Sequence, residues 1–232
     1  MRLSGPGPSG LRADHILLTY PLGVSDGLIG VLSKIICGTA PRWLADARLL
    51  AIFKKNGGVR PIAVGKVLSK IAAGLLIRAS LPELNELPRQ FVLRRHGCLA
   101  VASLVRASLE SDPSIRVLTV DMRNAFNCVS RLFVIETSDN AAGALLTLSV
   151  LTGFAPIVRQ PRNLLSPRRA EGEPEGPSLF TLALSLALER ARMSFPEGLL
   201  DFWYADDGCI IGSLNEVTAG FDSLLEPLKS IG

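Results

Sequence analysis

The chain has 232 residues, 48% of them hydrophobic and 20% charged, with 25 Lys and Arg against 21 Asp and Glu for a net charge of +4. That length and composition allow one large core or two modest ones, and the small positive excess tolerates a polyanionic partner without demanding one. Four scattered cysteines (Cys37, Cys98, Cys128 and Cys209), with no C-x-x-C pair, argue against a zinc site and more strongly against a disulfide framework, as in a reducing compartment. Basic residues cluster at Lys54-Lys55, at Arg94-Arg95 and over 159–169, and each cluster alone reads as a solvated basic face.

Residues 1–13 are rich in Gly, Pro and Ser and read as an irregular lead-in, with no secretory apolar region expected. Residues 16–37 show mixed helical spacing broken by Pro21, Gly23 and Gly27, and Pro41 is placed to open a helix carrying Trp43, Leu44 and Ala47. Residues 49–53 and 59–64 read as two strands of a hairpin whose turn is Lys54-Lys55-Asn56-Gly57-Gly58. Helices are predicted over 67–81 and 99–109, and a β-branched strand over 115–120 that ends at Asp121. Residues 141–158 carry no charge, but Thr147, Ser149, Gly153 and Pro156 make them a poor membrane span, so a buried helix followed by a strand is expected. A polar connection over 160–177 leads into a helix over 179–193. Ser213-Leu214-Asn215-Glu216 then matches a capping box opening a last helix to about Leu228.

The informative string is Phe202-Trp203-Tyr204-Ala205-Asp206-Asp207-Gly208, followed by Cys209-Ile210-Ile211-Gly212. Adjacent carboxylates repel, and each needs water, a partner or a cation. Asp-Gly between apolar strand segments is a strong hairpin signal. A hairpin that presents carboxylates to a divalent metal accounts for both features, although an ordinary exposed turn could carry the same string. Asp121, ending an apolar strand, could meet these carboxylates from a neighbouring strand, as two-metal phosphoryl transfer requires, or could simply cap its strand. Lys54, Lys55, Gly57, Gly58 and Arg60 combine positive charge with backbone amides suited to a triphosphate, or form a plain basic hairpin tip. The turn Glu171-Gly172-Glu173-Pro174-Glu175-Gly176-Pro177 could position a template or base, or merely lead into the following helix.

Taken in order, five segments resemble the fingers and palm motifs of reverse transcriptases of the non-LTR retrotransposon type. They are Gly7-Pro8-Ser9-Gly10-Leu11-Arg12, residues 56–65 from Asn56 to Gly65, Asp121-Met122-Arg123-Asn124-Ala125-Phe126 onward to Ser130, residues 172–180, and Tyr204-Ala205-Asp206-Asp207-Gly208. The resemblance implies an α+β fold of fingers and palm, with an antiparallel palm sheet backed by helices and the thumb absent. It implies fingers with the first palm helices over 14–110 and palm over 111–232. Asp121 and Asp206 would hold two Mg²⁺ ions, with the backbone carbonyl of Met122 as a further ligand and Asp207 supporting the site. Lys54 or Lys55, with Arg60, would grip the triphosphate. Asn124, Ala125, Glu171 and Gly172 would lie at the nucleotide, and Phe126 would exclude a ribose 2′-OH. The reaction implied is RNA-directed DNA synthesis from dNTPs on an RNA template and DNA primer, in the nucleus or cytoplasm and away from membranes.

The family usually carries Gln where this chain has Glu171, which places a negative charge beside the incoming nucleotide. A partial copy that keeps the fold and binds nucleic acid without catalysis is therefore a second reading. A viral RNA-dependent RNA polymerase, built on the same palm, is a third, with Phe126 and Ala205 against it.

Overall fold

The predicted hairpin forms as β1 (Ala47–Phe53) and β2 (Val59–Gly65), paired antiparallel from Ala47 opposite Gly65 to Phe53 opposite Val59. The computed structural model describes residues 6–23, 25–53, 57–122, 125–130, 133 and 176–231. They divide into one compact unit with the described residues up to Ser80, and another with those of Leu81–Thr137 and Pro177–Gly232. Both are mixed α+β in content, and in each sheet the strands pair with one another antiparallel.

In the first unit, residues 16–37 resolve into α1 (Ala13–Thr19), a short 3-10 turn at Tyr20–Leu22, and α2 (Ser25–Ile36). The break falls at Pro21 and Gly23 as expected, but Gly27 lies inside α2 and does not interrupt it. The helix expected from Pro41 is only a 3-10 turn (Arg42–Ala45), and Ala47 already belongs to β1. Its core joins Leu32 and Ile35 of α2 to Leu44 and to Ala72 of α3 (Val67–Asn85). A buried cation fixes this corner: Lys66 Nζ donates to the Trp43 carbonyl, lies 4.3 Å from the centre of the Trp43 ring and 3.8 Å from Asp46. Helix α3 runs past its predicted end at 81 and takes Pro82 into its last turns.

The second unit is built on a three-stranded sheet in the order β3 (Arg116–Asp121), β5 (Asp207–Gly212), β4 (Leu200–Tyr204). Helices α4 (Gly97–Ser111) and α7 (Leu214–Ser230) lie against it. Between β3 and β4 come the single turn α5 (Ala125–Cys128) and α6 (Gly176–Arg192). Along α6 Leu179, Phe180, Leu182, Ala183, Leu184 and Leu188 are all buried, as in a helix enclosed on every side. Helix α7 is amphipathic, burying Val217, Gly220 and Leu224. The capping box at its start is real: Ser213 N–H donates to Glu216 Oε2 at 2.7 Å, and Glu216 N–H to Ser213 Oγ at 3.4 Å. These bonds hold the Glu216 carboxyl below its ordinary value, so the cap persists at neutral pH and fails as acid reaches that lowered value.

The expected helix and strand of 141–158 and the connection over 160–175 lie outside the described residues. No helix among the described residues is long and apolar enough to cross a membrane.

One sequence expectation is displaced. Asp207-Gly208 is not the hairpin turn; both residues lie in β5, and the turn is Ala205-Asp206, closed by the pair Tyr204 opposite Asp207. The reason is packing. Gly208 lies opposite Trp203, and a Cβ at Gly208 would sit 2.5–2.6 Å from the six-membered ring of a fully buried indole. Gly208 is thus a seat for Trp203, not a source of turn flexibility. Gly208→Ala is expected to destabilise the protein by about 1–3 kcal/mol in urea unfolding, the usual range for overpacking against a rigid neighbour. A change under about 0.5 kcal/mol would show that the indole has room to move.

Candidate functional site

Because strand side chains alternate, the register sorts the sheet into two faces. Trp203, Asp201, Gly208 and Ile210 share one face, and all four are buried. Tyr204, Asp207, Cys209, Thr119 and Asp121 share the other, which is open near the turn: Asp121, Thr119 and Asp207 are exposed. The sheet therefore brings Asp121 and Asp207 into directly opposite positions on its open face. Opposed residues of an antiparallel pair have Cα atoms about 4.5–5.5 Å apart, and like charges so placed are destabilising. Asp206, half-buried, is the second residue of the adjoining turn. Its carbonyl accepts the Met122 N–H at 3.4 Å, which ties the chain after β3 to the hairpin tip.

Ala205 has φ of 55°. Asp206 is not among the residues of positive φ, so a two-residue loop with only its first residue in that region corresponds to a type II′ turn. Glycine ordinarily occupies that first position, and a residue with a Cβ there is strained by about 1–2 kcal/mol. Strain of this kind persists only where the surroundings over-determine it.

Those surroundings come from residues 89–92. The Trp203 N–H donates to the Arg89 carbonyl and the Phe91 N–H to the Trp203 carbonyl, each at 2.9 Å, with a parallel bridge between Gln90 and Trp203. This segment covers the outer edge of β4. Behind it, Asp201 is fully buried and receives Arg192 Nη2 on Oδ2 and Arg89 Nη1 on Oδ1, each at 2.6 Å, and Trp203 Nε1 on Oδ2 at 3.0 Å. Arg192 Nε adds bonds of 3.1 and 3.2 Å to the same carboxylate. Arg94, one of the expected solvated cluster, is instead half-buried. It bonds the Leu87 carbonyl at 3.0 Å and stacks 4.8 Å from the Phe91 ring centre, while Arg95 is exposed. The turn that follows is tight, since a Cβ on Gly97 would fall 1.8 Å from the Phe91 carbonyl oxygen.

Burial, and secondarily the Asp207 charge, pushes the Cys209 thiol above its ordinary value. Met122 and Ala125 line a cavity of about 270 Å³ with Phe180, Leu225 and Lys229. Phe126 lies in the single turn α5. Arg60 belongs to β2 of the first unit, opposite Ile52. Lys54, Lys55, Asn124, Glu171 and Gly172 lie outside the described residues. Among the described residues, no group of three or more Asp, Glu, His or Cys side chains is arranged to hold a metal ion. The acidic pair is of a different kind: Mg²⁺ retains waters and is commonly bound through one or two carboxylates together with substrate phosphates, which hard oxygen ligands at Asp121 and Asp207 suit.

Arg89, Gln90, Arg192 and Asp201 are not singled out by the sequence reading. Asp201 alone carries a local signal, being two residues from Trp203 in a strand and so on the same inward face. The chain matches no protein-family model and no curated protein.

Asp201→Asn keeps the shape of the side chain but removes the charge that both guanidinium groups face. A loss of about 2 kcal/mol is expected in denaturant unfolding, the order for hydrogen bonds to a charged group, because both guanidinium groups keep some contact with solvent. A loss below about 1 kcal/mol would mean that the network is incidental to the fold.

Proposed function

We propose that this chain is the fingers and palm portion of a reverse transcriptase of the non-LTR retrotransposon type, an RNA-directed DNA polymerase working by two-metal nucleotidyl transfer. The observation that carries the reading is the placement of Asp121 directly opposite Asp207 on an open sheet face, with Asp206 in the adjoining turn. A fold gains nothing from facing two carboxylates across a ladder, whereas a divalent cation turns that repulsion into a binding site. The ordered motifs of the sequence agree with this, and so does the open face beside them.

In this reading Asp121 and Asp206 would hold the cations with the backbone carbonyl of Met122, and Asp207 would support the site from its place opposite Asp121. When bound, Mg²⁺ would neutralise the triphosphate and favour the ionised primer hydroxyl. The primer 3′-hydroxyl gives its proton to solvent and its oxygen bonds the α-phosphorus, the bond from that phosphorus to the bridging oxygen breaks, and pyrophosphate departs. Lys54, Lys55 and Arg60 supply countercharge to the triphosphate. Asn124, Ala125 and Gly172 border the nucleotide, and Phe126 bars a 2′-OH, so the substrate is a dNTP; the RNA template rests on the resemblance of the ordered motifs. Glu171 favours one alternative, a non-catalytic remnant that still binds nucleic acid, because its charge opposes the triphosphate.

Primer extension on an RNA template with Mg²⁺ and dNTPs separates the two. The wild-type chain is expected to extend the primer, and Asp206→Asn to lose on the order of 10²-fold or more, as for other groups that stabilise transition-state charge. If both proteins bind template–primer yet incorporate equally little, the remnant reading holds. Phe126→Ala is expected to admit rNTPs that the wild type rejects, and unchanged sugar selection would remove Phe126 from the gate.

A further inference from the structure

We propose that Gln90 is the positioning residue of the carboxylate hairpin, holding the strained Ala205 peptide through its side-chain oxygen. Gln90 is buried, with 2% of its surface exposed, and its Oε1 accepts the Ala205 N–H at 3.1 Å across 115 residues of sequence. The same oxygen accepts the N–H of Phe91 at 3.1 Å and of Val92 at 3.4 Å. Three donors converging on one oxygen leave no doubt which end of the amide faces the turn, since a reversed amide would set donor against donors.

The other end of the amide is informative. Gln90 Nε2 is buried and has no hydrogen-bond partner among the described residues. An unsatisfied buried donor is costly, so the side chain sits there for its acceptor and not for its amino group. A carboxylate would accept the same three bonds and leave no orphaned donor. It would also add a fixed negative charge one residue from Asp206, beside the pair Asp121 and Asp207. An amide is the side chain that accepts strongly in a buried place and stays neutral next to acids.

Two anchors make the acceptor rigid. Arg89, itself at φ of 57°, is bonded to Asp201, and the bridge between Gln90 and Trp203 fixes the backbone around the amide. The turn is then gripped on both sides, at the Ala205 N–H by Gln90 and at the Asp206 carbonyl by Met122. Holding Ala205 at positive φ sets where the following Asp206 stands. That this serves metal and nucleotide geometry rests on the polymerase reading, but the hold on the turn does not.

The test is amide hydrogen exchange followed by NMR on the full chain. In Gln90→Leu the Ala205 amide is expected to exchange about tenfold faster relative to the Ile210 amide in β5, the order expected for one lost buried hydrogen bond. Gln90→Glu, which keeps the acceptor, is expected to restore the protection. An unchanged Ala205 amide in Gln90→Leu, or equal acceleration at Ile210, would overturn the proposal. If Gln90→Leu does not fold, Gln90→Glu decides: retained Ala205 protection supports the assignment and lost protection defeats it. Primer extension on the same proteins is expected to show a lower kcat in Gln90→Leu with the KM for dNTP little changed. Should the wild type prove as inert as Asp206→Asn, the polymerase reading falls while the exchange data still judge Gln90.

Discussion

A buried carboxylate organises the second unit. Asp201 is fully excluded from solvent, where an unpaired charge would be untenable, and the protein answers with two guanidinium groups and an indole N–H. These partners come from three separate places: the end of α6, the segment before α4, and β4 itself. A buried ion pair is weak support for net stability, because desolvation consumes much of the attraction. What it does supply is specificity of place. The bonds to Asp201 tie α6, the segment 89–92 and β4 to one another, and Arg89 places the network next to Gln90 and the hairpin turn that it holds. It also closes an edge, since residues 89–91 occupy the ladder positions that β4 would otherwise leave open to another chain.

The two faces of the sheet are built on opposite terms. One holds Trp203, Ile210 and the satisfied Asp201, and it supplies the apolar burial. The other gathers Asp121, Asp207 and Thr119 in the open, next to a turn held in an unfavourable conformation. Repulsion between exposed carboxylates and backbone strain at Ala205 are therefore concentrated at one tip. Such a concentration of local rule-breaking is what a functional site looks like in energetic terms.

Much of the secondary structure was legible because it is written locally. The turn Lys54–Gly58 between apolar segments marked β1 and β2, β-branched residues marked β3, helical spacing marked α3, Leu and Ala content marked α6, and Ser213 with Glu216 marked the start of α7. The carboxylates were legible for the same reason: Asp121 ends an apolar strand and Asp206-Asp207 interrupts another. What escaped was non-local. Nothing around Gln90 shows that its side chain meets a peptide 115 residues away, and nothing around Arg89 shows that it answers Asp201 across 112. The turn was misplaced on a local rule as well. Asp207-Gly208 has the composition of a favoured turn, but only the cross-strand meeting of Gly208 with Trp203 reveals why the glycine is there.

Moving the turn to Asp207-Gly208 would relieve Ala205 and let two well-suited residues make the corner. It would also make β5 begin at Cys209 and leave Asp121 with no strand residue opposite it. Trp203 would then face Gly212 and lose its seat on Gly208, at a position where a Cβ meets the Glu216 and Leu199 side chains at 3.0–3.1 Å in the present register. A tryptophan side chain covers about 150–250 Å² of surface, and at about 25 cal/mol per Å² its burial outweighs the ~1–2 kcal/mol of strain at Ala205. Packing on the inner face thus selects the strained turn, and that choice places Asp207 opposite Asp121 on the outer one. The carboxylate pair is a consequence of where an indole fits, which is how an apolar core can dictate the geometry of a charged site that it never touches.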